Sequence, residues 1–143
     1  MTPEPLLQLI RRFEGCRLKA YQCPAGVWTI GWGSTGPDVK AGGLWTLEQA
    51  EARLRCDAAK CVRTAVKISP VLAARPLQLS AVADFIYNLG AGRYRNSRLR
   101  KRVDAEDWPG AVVEINRWVM GGGKKLPGLV KRRAAEARLL MGA

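Results

Sequence analysis

The chain has 143 residues, 48% apolar and 25% charged, which suits one compact globular domain with a buried core. No apolar run reaches the ~20 residues needed to span a bilayer. Twenty-four Lys and Arg against twelve Asp and Glu give a formal charge of +12, and the lack of any histidine removes that side chain from catalysis and metal ligation.

Such a positive balance points to a polyanionic target: nucleic acid, anionic lipid or an acidic cell-wall polymer. The charge is concentrated in RYRNSRLRKR (93–102) and KKLPGLVKRR (124–133). Either stretch could be a nucleic-acid patch or a solvated helix face. The start, MTPEPLLQLIRRFEG, lacks a basic segment followed by a long apolar run and a cleavage site, so residence in the cytoplasm is expected.

Leu6, Leu7, Leu9, Ile10 and Phe13 recur at helical spacing and predict a helix over 3–13, stopped by Gly15. From Arg17 to Gly33 the residues change character. Tyr21, Val27, Trp28, Thr29, Ile30 and Trp32 favour strand around the turn chemistry of CPAG (23–26), so a β-hairpin or small sheet is expected. Thr46 with Gln49 forms a capping box that opens a long helix over 47–66, ended by Ser69-Pro70. The rest reads as helices near 70–74, 77–89, 97–103, 108–120 and 127–141, separated by Pro76, GAG (90–92), Pro109, GGG (121–123) and Pro127-Gly128. The predicted fold is α+β: one domain over 1–143, with a β-containing lobe about 13–60 and a helical lobe about 61–143 that includes helix 3–13. A cleft between lobes suits an extended ligand.

The four cysteines, 16, 23, 56 and 61, lack the spacing of a zinc site, and neither a metal nor a cofactor is expected. Free thiols are expected, with Cys56 and Cys61 as small buried residues. A disulfide between Cys16 and Cys23 across the hairpin is the alternative; it would block a site there.

Glu14 stands at a helix C-terminus, where the dipole disfavours a negative charge by roughly 0.3–1 kcal/mol. Burial beside Phe13 and the Trp-rich hairpin would penalise the charged form further. A carboxyl kept protonated can protonate a leaving-group oxygen, and without histidine that work falls to Asp or Glu. A plain ion pair with Arg11, Arg12 or an arginine of the helical lobe is the competing reading.

The spacing Glu14, Cys23, Thr29, inside TIGWG, resembles the catalytic stretch of phage-type lysozymes, the endolysin family related to the T-even phage lysozyme. DFIYNLGAG (84–92), NSRLRKR (96–102) and RWVMGGGKKLPGLVKRRAAEARL (117–139) resemble later family segments in the same order. The resemblance implies a two-lobed lysozyme-like fold and a muramidase that hydrolyses the β-1,4 bond between N-acetylmuramic acid and N-acetylglucosamine in peptidoglycan. It implies Glu14 as general acid and Thr29 as the residue that holds the water or shapes the far side of the sugar. Cys23 occupies a position that is commonly Asp. Either nearby arginines lower its pKa so that a thiolate serves as base or nucleophile, or Thr29 and the electropositive cleft do most of the water positioning. Gly33, Tyr87, Asn88 and Ser97 match cleft positions, Tyr87 being equally suited to core packing. Arg132 or Arg133 would lie near the acid, and Trp108 and Trp118 would be core aromatics. A monomer is implied, held in the host cytoplasm until a holin-type membrane lesion admits it to the periplasm and cell wall. The alternatives are a basic helical nucleic-acid binder and a membrane-active domain using the 127–141 helix.

Overall fold

The computed structural model describes residues 2–143; Met1, the first residue of the expected 1–143 domain, lies outside the described residues. Helix α1 spans Glu4–Glu14, and its apolar positions Leu6, Leu7, Leu9 and Ile10 are buried. Gly15 ends it at φ 66°, a conformation that costs an L side chain roughly 1–2 kcal/mol. The chain then enters an antiparallel hairpin of β1 (Arg17–Gln22) and β2 (Trp28–Gly31), in which Tyr21 pairs with Thr29 and Gln22 with Trp28. The segment around Leu44 joins the other edge of β1 by a single bridge to Lys19. Ala20, Ile30 and Val39 form a small core under this sheet, with Trp28 and Trp45 packed against it.

Helix α2 (Leu47–Ile68) opens with the capping box: Thr46 Oγ1 accepts from the Gln49 N–H at 3.1 Å, and Gln49 Oε1 accepts from the Thr46 N–H at 2.8 Å. Its buried stripe of Ala50, Leu54, Ala58, Ala65 and Ile68 faces the core. After Ser69, residues Pro70–Ala74 make a tight 3₁₀ turn. Helix α3 (Pro76–Leu89) is buried continuously from Leu79 to Ile86 and packs against α1, α2 and α7 (Pro127–Leu140). Between them lie α4 (Ala91–Arg95), α5 (Arg98–Asp104) and α6 (Trp108–Ile115). Leu72, Val82, Phe85, Tyr94, Leu99, Val103, Ile115 and Leu140 lie in the main helical core, with Trp108 and Trp118 packed against it. No helix among the described residues is long and apolar enough to cross a membrane.

Three expectations need correction. The helix expected over 108–120 stops at Ile115, because the following glycines build a second hairpin, β3 (Met120–Gly121) and β4 (Lys124–Lys125). Gly122 and Gly123 turn it at φ 57° and 77°, the pair of positive values a two-residue hairpin loop requires. GAG at 90–92 does not merely interrupt the chain: Ala91 and Gly92 begin α4, which buries Tyr94 against Ser69. Cys56 is exposed on α2, since only one face of that long helix has a partner, while Cys61 is partly buried; all four cysteines are free thiols.

Candidate active site

Two elements distant in sequence meet at Glu14. Helix α1 presents the carboxyl from its last turn, and α7 sends Arg132 across to it, with Nη1 2.7 Å from Glu14 Oε2. Arg132 is only 4% exposed and could not stand there alone. Asp84 of α3, itself fully buried, accepts from its Nε at 2.9 Å and its Nη2 at 2.8 Å. Burial works against the charge of Arg132, but the bonds and attraction to Asp84, with Glu14 behind, outweigh it and raise its pKa. The guanidinium therefore holds a full positive charge against the acid. Arg11 and Arg12 are not partners of Glu14; Arg11 is committed to Glu51 at 2.8 Å.

The other carboxylate oxygen lies beneath Gly33. An ideal Cβ on Gly33 would stand 2.6 Å from Glu14 Oε1, and the residue adopts φ 85°. Only glycine satisfies both the backbone and the space. The Glu14 side chain stays 21% exposed, at the edge of a groove of about 470 Å³. Phe13, Asn88, Arg132 and residues 126–129 complete its lining. The first turn of α7, entered directly from the second hairpin, thus forms one wall of the groove beside the acid.

Cys23 and Thr29 lie together across the first hairpin. Cys23 closes its turn through its own backbone, with N–H to the Val27 carbonyl at 2.9 Å and carbonyl from the Gly26 N–H at 2.8 Å. The thiol pKa is lowered chiefly by hydrogen bonding to the backbone of Val27 and Ala25, with smaller help from Thr29 and Gly26. Arginine is therefore not the cause; the turn makes a small anion-binding nest. The Thr29 hydroxyl, buried, donates to the Val27 carbonyl at 3.0 Å and contributes to lowering the Cys23 thiol pKa. Thr29 and Gly33 are four residues apart, at most about 13 Å along the chain, so β2 and its turn carry both halves of the site.

The remaining expected positions separate. Asn88 faces the groove and accepts from Arg133 Nη2 at 2.8 Å. Tyr87 donates its hydroxyl to the Trp32 carbonyl at 2.6 Å and packs against the cluster of Leu6, Leu7 and Ile10 of α1 with Leu54 of α2. Burial, then Asp57 and Glu14, push its phenol pKa up. Its structural task is to tie α3 to the turn that carries Gly33. Ser97 is buried as the N-cap of α5; it accepts from the Arg100 N–H at 3.0 Å and donates to the Tyr94 carbonyl at 2.7 Å, and it does not line the groove. Between the two arginines the fold selects Arg132 for the acid. Arg133 is fully buried and pairs with Glu136, its Nε 2.6 Å from Oε1.

Sequence reasoning missed Asp84 and Glu136. Asp84 is an acid inside an otherwise apolar helical run, and Glu136 follows Arg133 by three residues on α7, one helical turn on; an acid is almost never fully buried unless paired. That was the available signal.

The phage lysozyme family model matches residues 11–136. An endolysin of Acyrthosiphon pisum secondary endosymbiont phage 1 is 41% identical over 147 residues, covering 96% of this chain and 95% of its own. A SAR-endolysin of bacteriophage PS119 is 34% identical over 125 residues, covering 86% of this chain and 73% of its own. Among solved structures, the endolysin from Escherichia coli O157:H7 phage FAHEc1 superposes with a TM-score of 0.86 at 32% identity, covering 99% of this chain and 93% of that one. With the sequence matched across nearly its whole length and the α+β architecture in common, the chain belongs to the phage lysozyme family, and it is a lysozyme-type glycoside hydrolase that degrades peptidoglycan.

Proposed function

We propose that this enzyme cuts the β-1,4 bond between N-acetylmuramic acid and N-acetylglucosamine, with Glu14 as general acid. The supporting observation is the Glu14 carboxyl itself: one oxygen is held by Arg132 at 2.7 Å, and the other reaches the groove edge under a glycine that leaves it room. Glu14 gives its proton to the glycosidic oxygen as the bond to the anomeric carbon breaks. Positive charge develops on the sugar, and water adds to that carbon and loses a proton. Cys23, favoured as thiolate by the backbone nest, takes the place of a carboxylate as base or nucleophile, and Thr29 holds the water or the thiolate from β2. Gly33 and Asn88 line the sugar path. The chain works as a single lysozyme-like unit and as a monomer. It waits in the host cytoplasm and reaches the wall through a holin-type membrane lesion.

Nucleic-acid binding is the weaker alternative, because two of the five basic residues in 124–133, Arg132 and Arg133, are buried in the acid's own cluster. The test is Glu14→Gln assayed on purified peptidoglycan, with circular dichroism to establish the fold. Loss of product release supports the acid; an unaffected rate ends the reading. Cys23→Asp and Cys23→Ser separate the roles at position 23. Activity kept by Asp and lost by Ser assigns a charged group there, and equal activity in all three makes the position dispensable.

A further inference from the structure

A second groove, of about 420 Å³, runs between α1 and α7 and shares no lining residue with the groove at Glu14. Its floor is aliphatic, from Leu9 of α1 and Ala135 and Leu139 of α7, and its charged side chains are Arg12, Lys131 and Arg138. No Asp or Glu side chain lines it, and among the described residues none of the three cations is in an ion pair. Arg12 lies instead over the ring of its neighbour Phe13, 4.7 Å from the ring centre. Along α7 the same character continues at both ends. Lys125 and Val130 flank a shallower hollow that also takes Lys131, and Met141 is 56% exposed past the last turn. Arg12 and Lys131 directly precede Phe13 and Arg132, which line the acid's groove, so the two surfaces lie about 100° apart around each helix.

Three unpaired cations around an aliphatic floor match an anionic headgroup that carries hydrocarbon. Lysine and arginine stems lie along apolar surface while their heads reach for charge. Binding at a lipid interface adds these two terms, apolar burial and attraction to anionic lipid. A glycan strand would need hydroxyl and amide partners, and nucleic-acid bases would need an aromatic platform. Among the described residues Gln8 is the only uncharged polar side chain in the lining, and no aromatic ring is there. We propose that the groove between α1 and α7 is a docking site for anionic phospholipid, which holds the enzyme against a membrane surface without spanning it and leaves the groove at Glu14 free. The site is separate from the catalytic reading of Glu14 and stands or falls without it.

Cosedimentation with vesicles tests the site. The full chain should bind vesicles of phosphatidylglycerol and phosphatidylcholine in equal parts, and should not bind vesicles of phosphatidylcholine alone. Lys131→Gln/Arg138→Gln should weaken that binding by about fivefold per charge, on the order of 25-fold together. Arg12 is left in place because it stacks on Phe13 of the acid's groove. Turnover of this variant on purified peptidoglycan, without lipid, should stay at the wild-type level. Arg93→Gln/Lys101→Gln removes the same charge from exposed positions on α4 and α5. It should change binding by less than about twofold, because charges more than about 10 Å from the lipid surface are screened at ordinary salt. Ala134→Glu sets an acid among the cations from an exposed position and should weaken binding about fivefold; it decides the matter if the double variant fails to fold. No binding by the wild type, equal binding to phosphatidylcholine alone, or equal losses in the two double variants overturns the proposal. So does Lys131→Gln/Arg138→Gln that keeps its vesicle binding but loses turnover on peptidoglycan, since the groove would then serve the wall polymer.

Discussion

Gly33→Ala tests the geometry of the acid most directly. The new methyl would start 2.6 Å from Glu14 Oε1 and 2.9 Å from its Cδ, where ordinary contact begins at 3.4 Å. The carboxyl must therefore retreat by about 0.8 Å, and misplacements on the order of 1 Å cost roughly 10²-fold in rate. Retreat is opposed on the far side, since Oε2 is held at 2.7 Å by an arginine whose other two donors are fixed on Asp84. Stability should suffer less. Alanine at positive φ costs about 1–2 kcal/mol, and its stiffer unfolded chain returns roughly 0.4–1 kcal/mol. The net of about 1 kcal/mol corresponds to a Tm lower by about 2–4 °C. Gly42→Ala is the matched control, with φ 76° and nothing within 4 Å of its Cβ. It should lose similar stability and keep its activity. Turnover on purified peptidoglycan beside thermal unfolding separates the two effects. Gly33→Ala with activity within about twofold of wild type, or Gly42→Ala equally inactive, would refute the reasoning.

Ser97→Ala removes the α5 cap and should cost about 1 kcal/mol in denaturant unfolding while leaving kcat/KM unchanged; lost activity at unchanged stability would return Ser97 to the substrate path. Asp84→Asn leaves the Arg132 charge buried with one anionic partner, for a loss of about 3 kcal/mol, and a denaturation midpoint equal to wild type would contradict the network. Cys23, with its pKa lowered by the turn amides, should show thiolate reactivity at a lower pH than exposed Cys56, and Cys61, whose thiol burial pushes up to about 12, should resist alkylation. Peptide mapping after iodoacetamide treatment at a series of pH values reads all three, and equal rates at Cys23 and Cys56 would sink the nest.

Much of the fold was legible because its signals are local. The capping box at Thr46, the stripe from Ala50 to Ile68 and the Tyr21 to Trp32 strand chemistry each fix their own element through backbone hydrogen bonds and apolar spacing. The second hairpin was not legible, because Gly121 to Gly123 stops a helix and turns a strand equally well, and only the pairing of Met120–Gly121 with Lys124–Lys125 in the folded chain selects the turn. The acid could be picked from the chain, as could the choice of Arg132 or Arg133. Which arginine it meets depends on the rotation of α7 against α3, and Asp84 fixes that from 48 residues away. The residue types and local periodicities were set in the sequence. The charge partners of Glu14, and the amides rather than arginines around Cys23, were decided by packing, because burial makes each ion find a counter-charge that no local pattern names.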